Sequence, residues 1–293
     1  MATAATPHQE VTFPGGERRP ALGLGTWRMG ESAPRRAGEV AAIRLALDEG
    51  WRVIDTAEMY GDGGAEQVVG EAVAGALRHG LAREALFVVS KVVPQHASRA
   101  GVIAACERSL RRLQLDTIDL YLLHWRGAES LAATLAGFVE LRQRGWIRHW
   151  GVSNFDLADM QELFALDGGA ACAANQVYYS LGARGVEFDL LPWQQRNDVP
   201  LMAYSPVDQG VLAGPRSHPV LREVAARHGA TPVQVALAAL LQRPGVMAIP
   251  KAVQAAHLRE NAKAVTVALD AADRAALDRA FPPPRHKQSL AML

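Results

Sequence analysis

The sequence predicts an α/β chain of the (β/α)8 TIM-barrel class with an N-terminal β-hairpin, and three observations predict it. Short apolar runs of strand length alternate with stretches of helical spacing, eight times over. Several of these runs end in a single polar residue, as strands do where they deliver side chains to the C-terminal rim of a parallel barrel. The 293 residues contain no Pro- or Gly-rich linker and suit the ~250 residues that such a barrel needs. Residues 1–293 are therefore read as one domain.

Residues 11–20 alternate around Gly15-Gly16 and form the predicted hairpin. A first strand follows at 21–27, then a helix at 36–50, where Val40, Ile43 and Leu47 share a face and Gly50 is a stop. The pattern repeats as strand 53–55 with helix 65–79, strand 86–90 with helix 98–113, strand 118–123 with helix 131–144, and strand 147–152 with helix 157–166. Strand 173–177 precedes a helix within 185–197. Strand 201–204 leads through a loop to helices at 220–228 and 232–242, and strand 246–249 to helices at 255–265 and 271–280. Three prolines at 282–284 open a short basic tail over 282–293.

Composition excludes more than it names. Thirty-one basic residues against 30 acidic ones give no overall field to gather nucleic acid or an anionic membrane. No run approaches the ~20 apolar residues of a membrane span, and residues 1–10 lack the basic start and apolar stretch of a secretory signal. The expectation is a cytoplasmic protein with neither nucleic acid nor membrane as partner. Cys106 and Cys172 match no zinc or redox spacing and are read as free, buried thiols, and the nine histidines form no HExxH pair, so no metal is expected. Gly23-Leu-Gly25 is not a dinucleotide fingerprint, because Arg28 stands where that spacing needs glycine.

The stretch Val53-Ile-Asp-Thr-Ala-Glu-Met-Tyr60 carries the chemistry. It delivers Asp55 to a strand end and places Tyr60 a few loop residues later, while Phe87-Val-Val-Ser-Lys91 and Leu120-Tyr-Leu-Leu-His124 end in a cation and an imidazole. Four strand-end groups of this kind can meet at one rim. An unperturbed tyrosine holds its proton to about pH 10. The expectation is that the Lys91 ammonium, fixed by Asp55, lowers the Tyr60 pKa and makes the phenol a usable general acid, with neutral His124 orienting a carbonyl.

These residues carry a family resemblance. Gly23-Leu-Gly-Thr-Trp27, Asp55-Thr-Ala-Glu-Met-Tyr-Gly61, Ser90-Lys91, Leu120-Tyr-Leu-Leu-His-Trp125, Gly151-Val-Ser-Asn-Phe155, Asn175-Gln176, Ala203-Tyr-Ser-Pro206 and Ile249-Pro-Lys251 stand in the order of an aldo-keto reductase, which the chain resembles over nearly its whole length. The resemblance implies an NADPH-dependent oxidoreductase with catalytic Asp55, Tyr60, Lys91 and His124. It implies that Tyr204 stacks on the nicotinamide, that Ser153, Asn154 and Gln176 hydrogen-bond the carboxamide, and that Gly25, Thr26, Trp27 and Asp55 lie by the nicotinamide and its ribose. The loop containing Ser205, Pro206, Val207, Gln209, Gly210 and Leu212 would cover the pyrophosphate. Ile249, Pro250, Lys251, His257, Arg259, Glu260 and Asn261 resemble the adenosine and 2′-phosphate segment, and a helix starting near Ala255 would add its N-terminal amides. There the chain departs from the family: Ala252 replaces a common serine or threonine, and His257 a common arginine. A bidentate fork at position 257 is lost, so NADP(H) is the expected cofactor with NAD(H) as an alternative.

Trp27, Tyr60, His124 and Trp125 are the expected substrate contacts. The segment after His124 and the tail are both short, which implies an open site for small aldehydes or 2-oxoaldehydes such as methylglyoxal. The chain is expected to act as a monomer. Two other readings remain on the same fold: a cofactor-binding regulatory subunit, as among potassium-channel β subunits, and an alcohol dehydrogenase working in the oxidative direction.

Overall fold

A computed structural model describes residues 9–214 and 217–293. Most of the signal-free start read at residues 1–10 lies outside the described residues. Strands β1 (Glu10–Thr12) and β2 (Arg18–Pro20) pair antiparallel, Glu10 against Pro20. Gly15 and Gly16 turn the chain between them at φ 85° and 83°, a region that only glycine enters without strain.

Eight strands form the second sheet: β3 (Leu24–Gly25), β4 (Val53–Asp55), β5 (Phe87–Val92), β6 (Ile118–Leu123), β7 (Ile147–Ser153), β8 (Asn175–Tyr178), β9 (Leu201–Tyr204) and β10 (Val246–Ala248). Each lies beside its neighbour in sequence. The registered pairs are parallel, Val89 facing Leu120 and Leu122 facing Gly151. Parallel bridges join Leu22 to Ala248 and Gly25 to Lys251. Every residue of β5 and β6 is buried, as expected for strands covered on both faces. This is the (β/α)8 architecture with its N-terminal hairpin.

The helices between the strands are α1 (Ala33–Asp48), α2 (Gly64–Arg78), α3 (Arg99–Leu113), α4 (Leu131–Gln143), α5 (Leu157–Phe164), α6 (Leu190–Arg196), α7 (Pro219–Arg227), α8 (Pro232–Leu241), α9 (Ala255–Ala262) and α10 (Ala271–Ala280). Their starts follow from capping chemistry. Ser98 and Ser130 accept amides of the first turns of α3 and α4, while Asp156 with Asp159, Thr231 with Gln234 and Asp270 with Asp273 form reciprocal capping boxes.

The chain packs as two compact units, 24–176 with 251–255 and 1–23 with 177–250 and 256–293. In the second, Leu221, Val224, Val235, Ala236 and Leu277 make one apolar cluster from α7, α8 and α10. Asp273 pins α10 to α7 through Arg227 (2.5 Å) and His228 (2.6 Å). Burial alone would raise its carboxyl, but these hydrogen bonds bring it down to about 2.

Three sequence expectations are corrected. The strand predicted at 21–27 is only Leu24–Gly25, because the chain turns away once the Thr26 amide has bonded to Asp55 O (3.0 Å), reaching φ 63° at Arg28. Strand 86–90 runs on to Val92, so Lys91 lies inside β5 rather than at its end. The helix at 255–265 gives way to a 3-10 turn at Lys263–Thr266, whereas the helix expected within 185–197 is present as the short α6, after a 3-10 turn at Gly185–Glu187.

Candidate active site

The unit made of 24–176 and 251–255 brings together Asp55, Tyr60, Lys91 and His124. Asp55 ends β4, Lys91 is the fifth residue of β5, and His124 follows β6 directly, so adjacent parallel strands supply three of the four. Tyr60 comes from the loop after β4. Three glycines allow that loop to sit where it does: a Cβ at Gly30 would meet Gly64 C at 2.1 Å, one at Gly61 would meet Gly30 C at 2.8 Å, and one at Gly64 would meet Gly30 O at 2.3 Å. The turn after β3 and the Tyr60 loop touch backbone to backbone.

Lys91 is fully buried and uses all three ammonium hydrogens, on Asp55 Oδ2 (2.8 Å), Thr56 O (2.9 Å) and the Tyr60 hydroxyl (3.3 Å). Because the ammonium donates to the phenolic oxygen, the Tyr60 O–H must point to some other acceptor. Burial lowers Lys91, against the pull of Asp55. Burial and then the Asp55 charge push Tyr60 well above 10. This runs against the expectation that Lys91 lowers the tyrosine: desolvation prevails, and the Asp55 charge acts in the same sense. The phenol therefore holds its proton across the physiological range.

His124 is buried, its ring edge-on to Tyr60 (centroids 5.7 Å, 73°) and beside Trp125 (4.9 Å). Burial, with Lys91 nearby, holds its pKa well below 6.5, so the imidazole is neutral. Trp27, half-buried at the adjoining turn, lies under the Arg28 guanidinium at 4.4 Å from the ring centre.

Gln176 makes a contact that the sequence did not announce. Its Nε2 donates to Asp55 Oδ1 at 2.7 Å, so the carboxylate is held by Lys91 on one oxygen and Gln176 on the other. A carboxylate only accepts, which fixes the amide orientation. Ser153 Oγ donates to Gln176 O (2.8 Å), and Asn154 Nδ2 donates to His124 O (3.1 Å) and Ser153 Oγ (3.2 Å). Asn154 has φ 58°, an uncommon conformation that collects at functional sites. Ser153 and Asn154 are not helix caps, since Asp156 caps α5.

Gly25 is bridged to Lys251, an exposed cation. Desolvation lowers Lys251, and Arg35 and Arg28 act in the same sense against Glu39 and Glu31. A cation four residues before α9, whose first amides point back along the chain, fits an anionic phosphate.

The remaining expected contacts belong to the other unit. Tyr204 ends β9 with its ring edge-on to Tyr178 (5.4 Å, 72°), and Tyr178 donates to Asp208 Oδ1 at 2.5 Å. Ser205, Asp208 and Gln209 all have φ near 50°, so the loop through Pro206, Val207, Gly210 and Leu212 is tightly coiled. Ile249, Pro250 and Asn261 are buried, whereas His257 and Arg259 are exposed. Glu260 O accepts from Gln234 Nε2 at 2.9 Å.

Sequence reasoning missed Glu58. This buried acid, between Asp55 and Tyr60, accepts from Val93 N (2.9 Å) and His96 Nδ1 (2.9 Å). The signal was present: a carboxylate in a loop of otherwise apolar or catalytic residues. Both cysteines are buried and free, and no cluster among the described residues could hold a metal ion.

The aldo/keto reductase family model matches residues 21–281. The chain is 50% identical over 285 residues to the methylglyoxal reductase YeaE of Escherichia coli (strain K12), covering 97% of this chain and 98% of that one. It is 35% identical over 252 residues to the glyoxal reductase of Bacillus subtilis (strain 168), covering 86% and 85%. A crystal structure of an aldo-keto reductase from Klebsiella pneumoniae in complex with NADPH superposes with TM-score 0.92 at 46% identity, covering 98% of this chain and all of that one. Matched along almost all of its length in sequence and in fold, the chain belongs to the aldo/keto reductase family.

Proposed function

We propose that this protein reduces small aldehydes and 2-oxoaldehydes such as methylglyoxal to alcohols, with NADPH as cofactor and Tyr60 as proton donor. One observation carries the reading: a protonated Tyr60 from the loop after β4, a charged Lys91 of β5 held by Asp55, and a neutral His124 just after β6 meet at one place. The dinucleotide, when bound, supplies the hydride.

The residues supply the rest. His124, with Trp125 beside it, orients the carbonyl oxygen toward the Tyr60 hydroxyl, and Trp27 keeps the substrate role read from the sequence. As negative charge grows on that oxygen the phenol gives up its proton, and the Lys91 ammonium at 3.3 Å stabilises the phenolate left behind. Asp55 keeps Lys91 charged inside a buried site, and Gln176 keeps Asp55 oriented. A phenol that holds its proton in the resting protein is suited to reduction, because the acid form is fully populated before the carbonyl arrives.

Ser153, Asn154 and Gln176 are the proposed carboxamide partners, and Gly25, Thr26 and Asp55 the ribose partners. Lys251 is the proposed phosphate cation. From the resemblance alone, Tyr204, the 205–212 loop, Ile249, Pro250, His257, Arg259, Glu260 and Asn261 keep the cofactor roles read from the sequence, with NAD(H) as the weaker cofactor. The short connection from Leu123 to Leu131 supports a small substrate, as do the names of the methylglyoxal and glyoxal reductases it resembles. We propose a single-domain monomer of the cytoplasm acting on a small carbonyl compound, without a nucleic-acid or membrane partner. Near-neutral charge and two free thiols support this, and no helix among the described residues is long and apolar enough to cross a membrane.

The test is NADPH consumption across short aldehydes, 2-oxoaldehydes, ketones and steroids, repeated with NADH. The expected order of kcat/KM places 2-oxoaldehydes first and NADPH above NADH. A preference for steroids would contradict the small-substrate reading.

A further inference from the structure

The Tyr60 loop is held by little apolar packing at its tip. Met59, between Glu58 and Tyr60, is 47% exposed, and the Tyr60 hydroxyl meets Lys91 at 3.3 Å, a distance set by where loop and strand lie rather than by a tight bond. Glu58 is the opposite case. It is 8% exposed, its backbone N–H donates to Lys91 O (3.3 Å), and its Oε1 accepts from the Val93 amide (2.9 Å) and His96 Nδ1 (2.9 Å). Its Oε2 faces Arg108 Nη2 at 3.4 Å. One residue, two before Tyr60, is therefore bonded to Lys91 through its backbone and to Val93, two residues beyond Lys91, through its side chain.

We propose that Glu58 is a positioning residue whose carboxylate ties the loop bearing Tyr60 to the strand bearing Lys91 and so sets the separation of proton donor and ammonium. The inference rests on the reading of Tyr60 and Lys91 as reacting groups. A buried carboxylate is costly unless its oxygens are well bonded. Here a backbone amide is bonded from inside, and His96 and Arg108, both partly exposed, flank the carboxylate from outside. Hydrogen bonds to an ionised acceptor are shorter and roughly twice as strong as neutral ones, which suits a link that holds a distance. Small misplacements of reacting groups are expensive: about 1 Å can cost on the order of a hundredfold in rate.

The test compares Glu58→Ala, Glu58→Asp and Glu58→Gln below their unfolding temperatures. Glu58→Ala is expected to lower kcat about tenfold or more. Its NADPH Kd, read by quenching of protein fluorescence, should stay within about twofold of wild type. Glu58→Gln keeps an oxygen for the Val93 amide and should recover kcat to within about threefold of wild type. Glu58→Asp, one methylene shorter, should lose kcat in the same sense as alanine and reads the effect if the alanine variant does not fold. Wild-type kcat in Glu58→Ala or Glu58→Asp, or a loss confined to NADPH affinity, overturns the inference. Tyr60→Phe measured alongside separates the two levels. Full activity there removes the assignment of Tyr60 and this inference with it, whereas an inactive Tyr60→Phe beside an unimpaired Glu58→Asp removes this inference alone.

Discussion

Lys91 and Asp55 form a buried ion pair whose value differs for folding and for chemistry. Removing one partner leaves the other charged and unpaired, which typically costs ~3–5 kcal/mol, while replacing both is often close to neutral. Lys91→Met is thus expected to lower stability in denaturant unfolding by that amount. The double variant Asp55→Asn/Lys91→Met should regain most of it, since Gln176 still has a carbonyl oxygen to bond, yet remain inactive. A double variant as unstable as the single one would show that the pair itself is not the cause. His124 gives a second expectation. Its folded pKa is pushed well below 6.5, so the neutral form persists as pH falls through the usual histidine range. For substrates whose own ionisation is silent, kcat should stay level from pH 7.5 to 5.5, and a sigmoidal fall centred near 6.5 would contradict the buried, neutral imidazole. At this scale Asp55, Lys91 and His124 were legible because apolar runs lead into them, and Tyr60 because it follows Asp55 by a few loop residues. The direction of the Tyr60 shift was not, since it depends first on how completely the fold buries the phenol and then on the Asp55 charge beside it. Nor was the Gln176–Asp55 bond, which joins residues 121 apart in sequence through the register of the sheet.

The elements explain why these residues meet. Asp55, Lys91 and His124 come from three consecutive parallel strands, and the sequence announced each by its apolar run. Helical spacing also placed four helix starts at 98, 131, 157 and 232, and the structure shows that Ser98, Ser130, Asp156 and Thr231 cap them. The first strand was overread. Ala21-Leu-Gly-Leu-Gly-Thr-Trp27 is apolar enough for seven strand residues, but the chain leaves the sheet at Thr26 to pack its turn against the Tyr60 loop. Gly30, Gly61 and Gly64 make that packing feasible, a long-range contact that no local pattern encodes. In Gly64→Ala a Cβ would lie 2.3 Å from Gly30 O with only backbone to give way. Overpacking of this kind costs ~1–3 kcal/mol, so Gly64→Ala should lower the Tm and, by displacing Tyr60, also kcat. A variant with wild-type Tm and kcat would mean that the loop tolerates the shift.

Over the whole molecule, the fold class was legible because eight strand–helix repeats in one chain leave few alternatives, and the family model spans 261 residues, from 21 to 281, in agreement with them. The near balance of 31 basic and 30 acidic residues confines any anion site to local cations, and Lys251 beside the start of α9 is such a cation. In the proposed function, chemistry at the scale of the whole protein reduces to one transfer, a proton from Tyr60 matched to a hydride from the cofactor. The most direct test is single-turnover reduction of methylglyoxal by the NADPH-bound protein, with Tyr60→Phe beside wild type. General-acid catalysis is worth about 10²–10⁴-fold, so the variant is expected to lose kcat by that factor while its NADPH Kd stays near that of wild type. A Tyr60→Phe protein that reduces methylglyoxal at the wild-type rate would contradict Tyr60 as the proton donor.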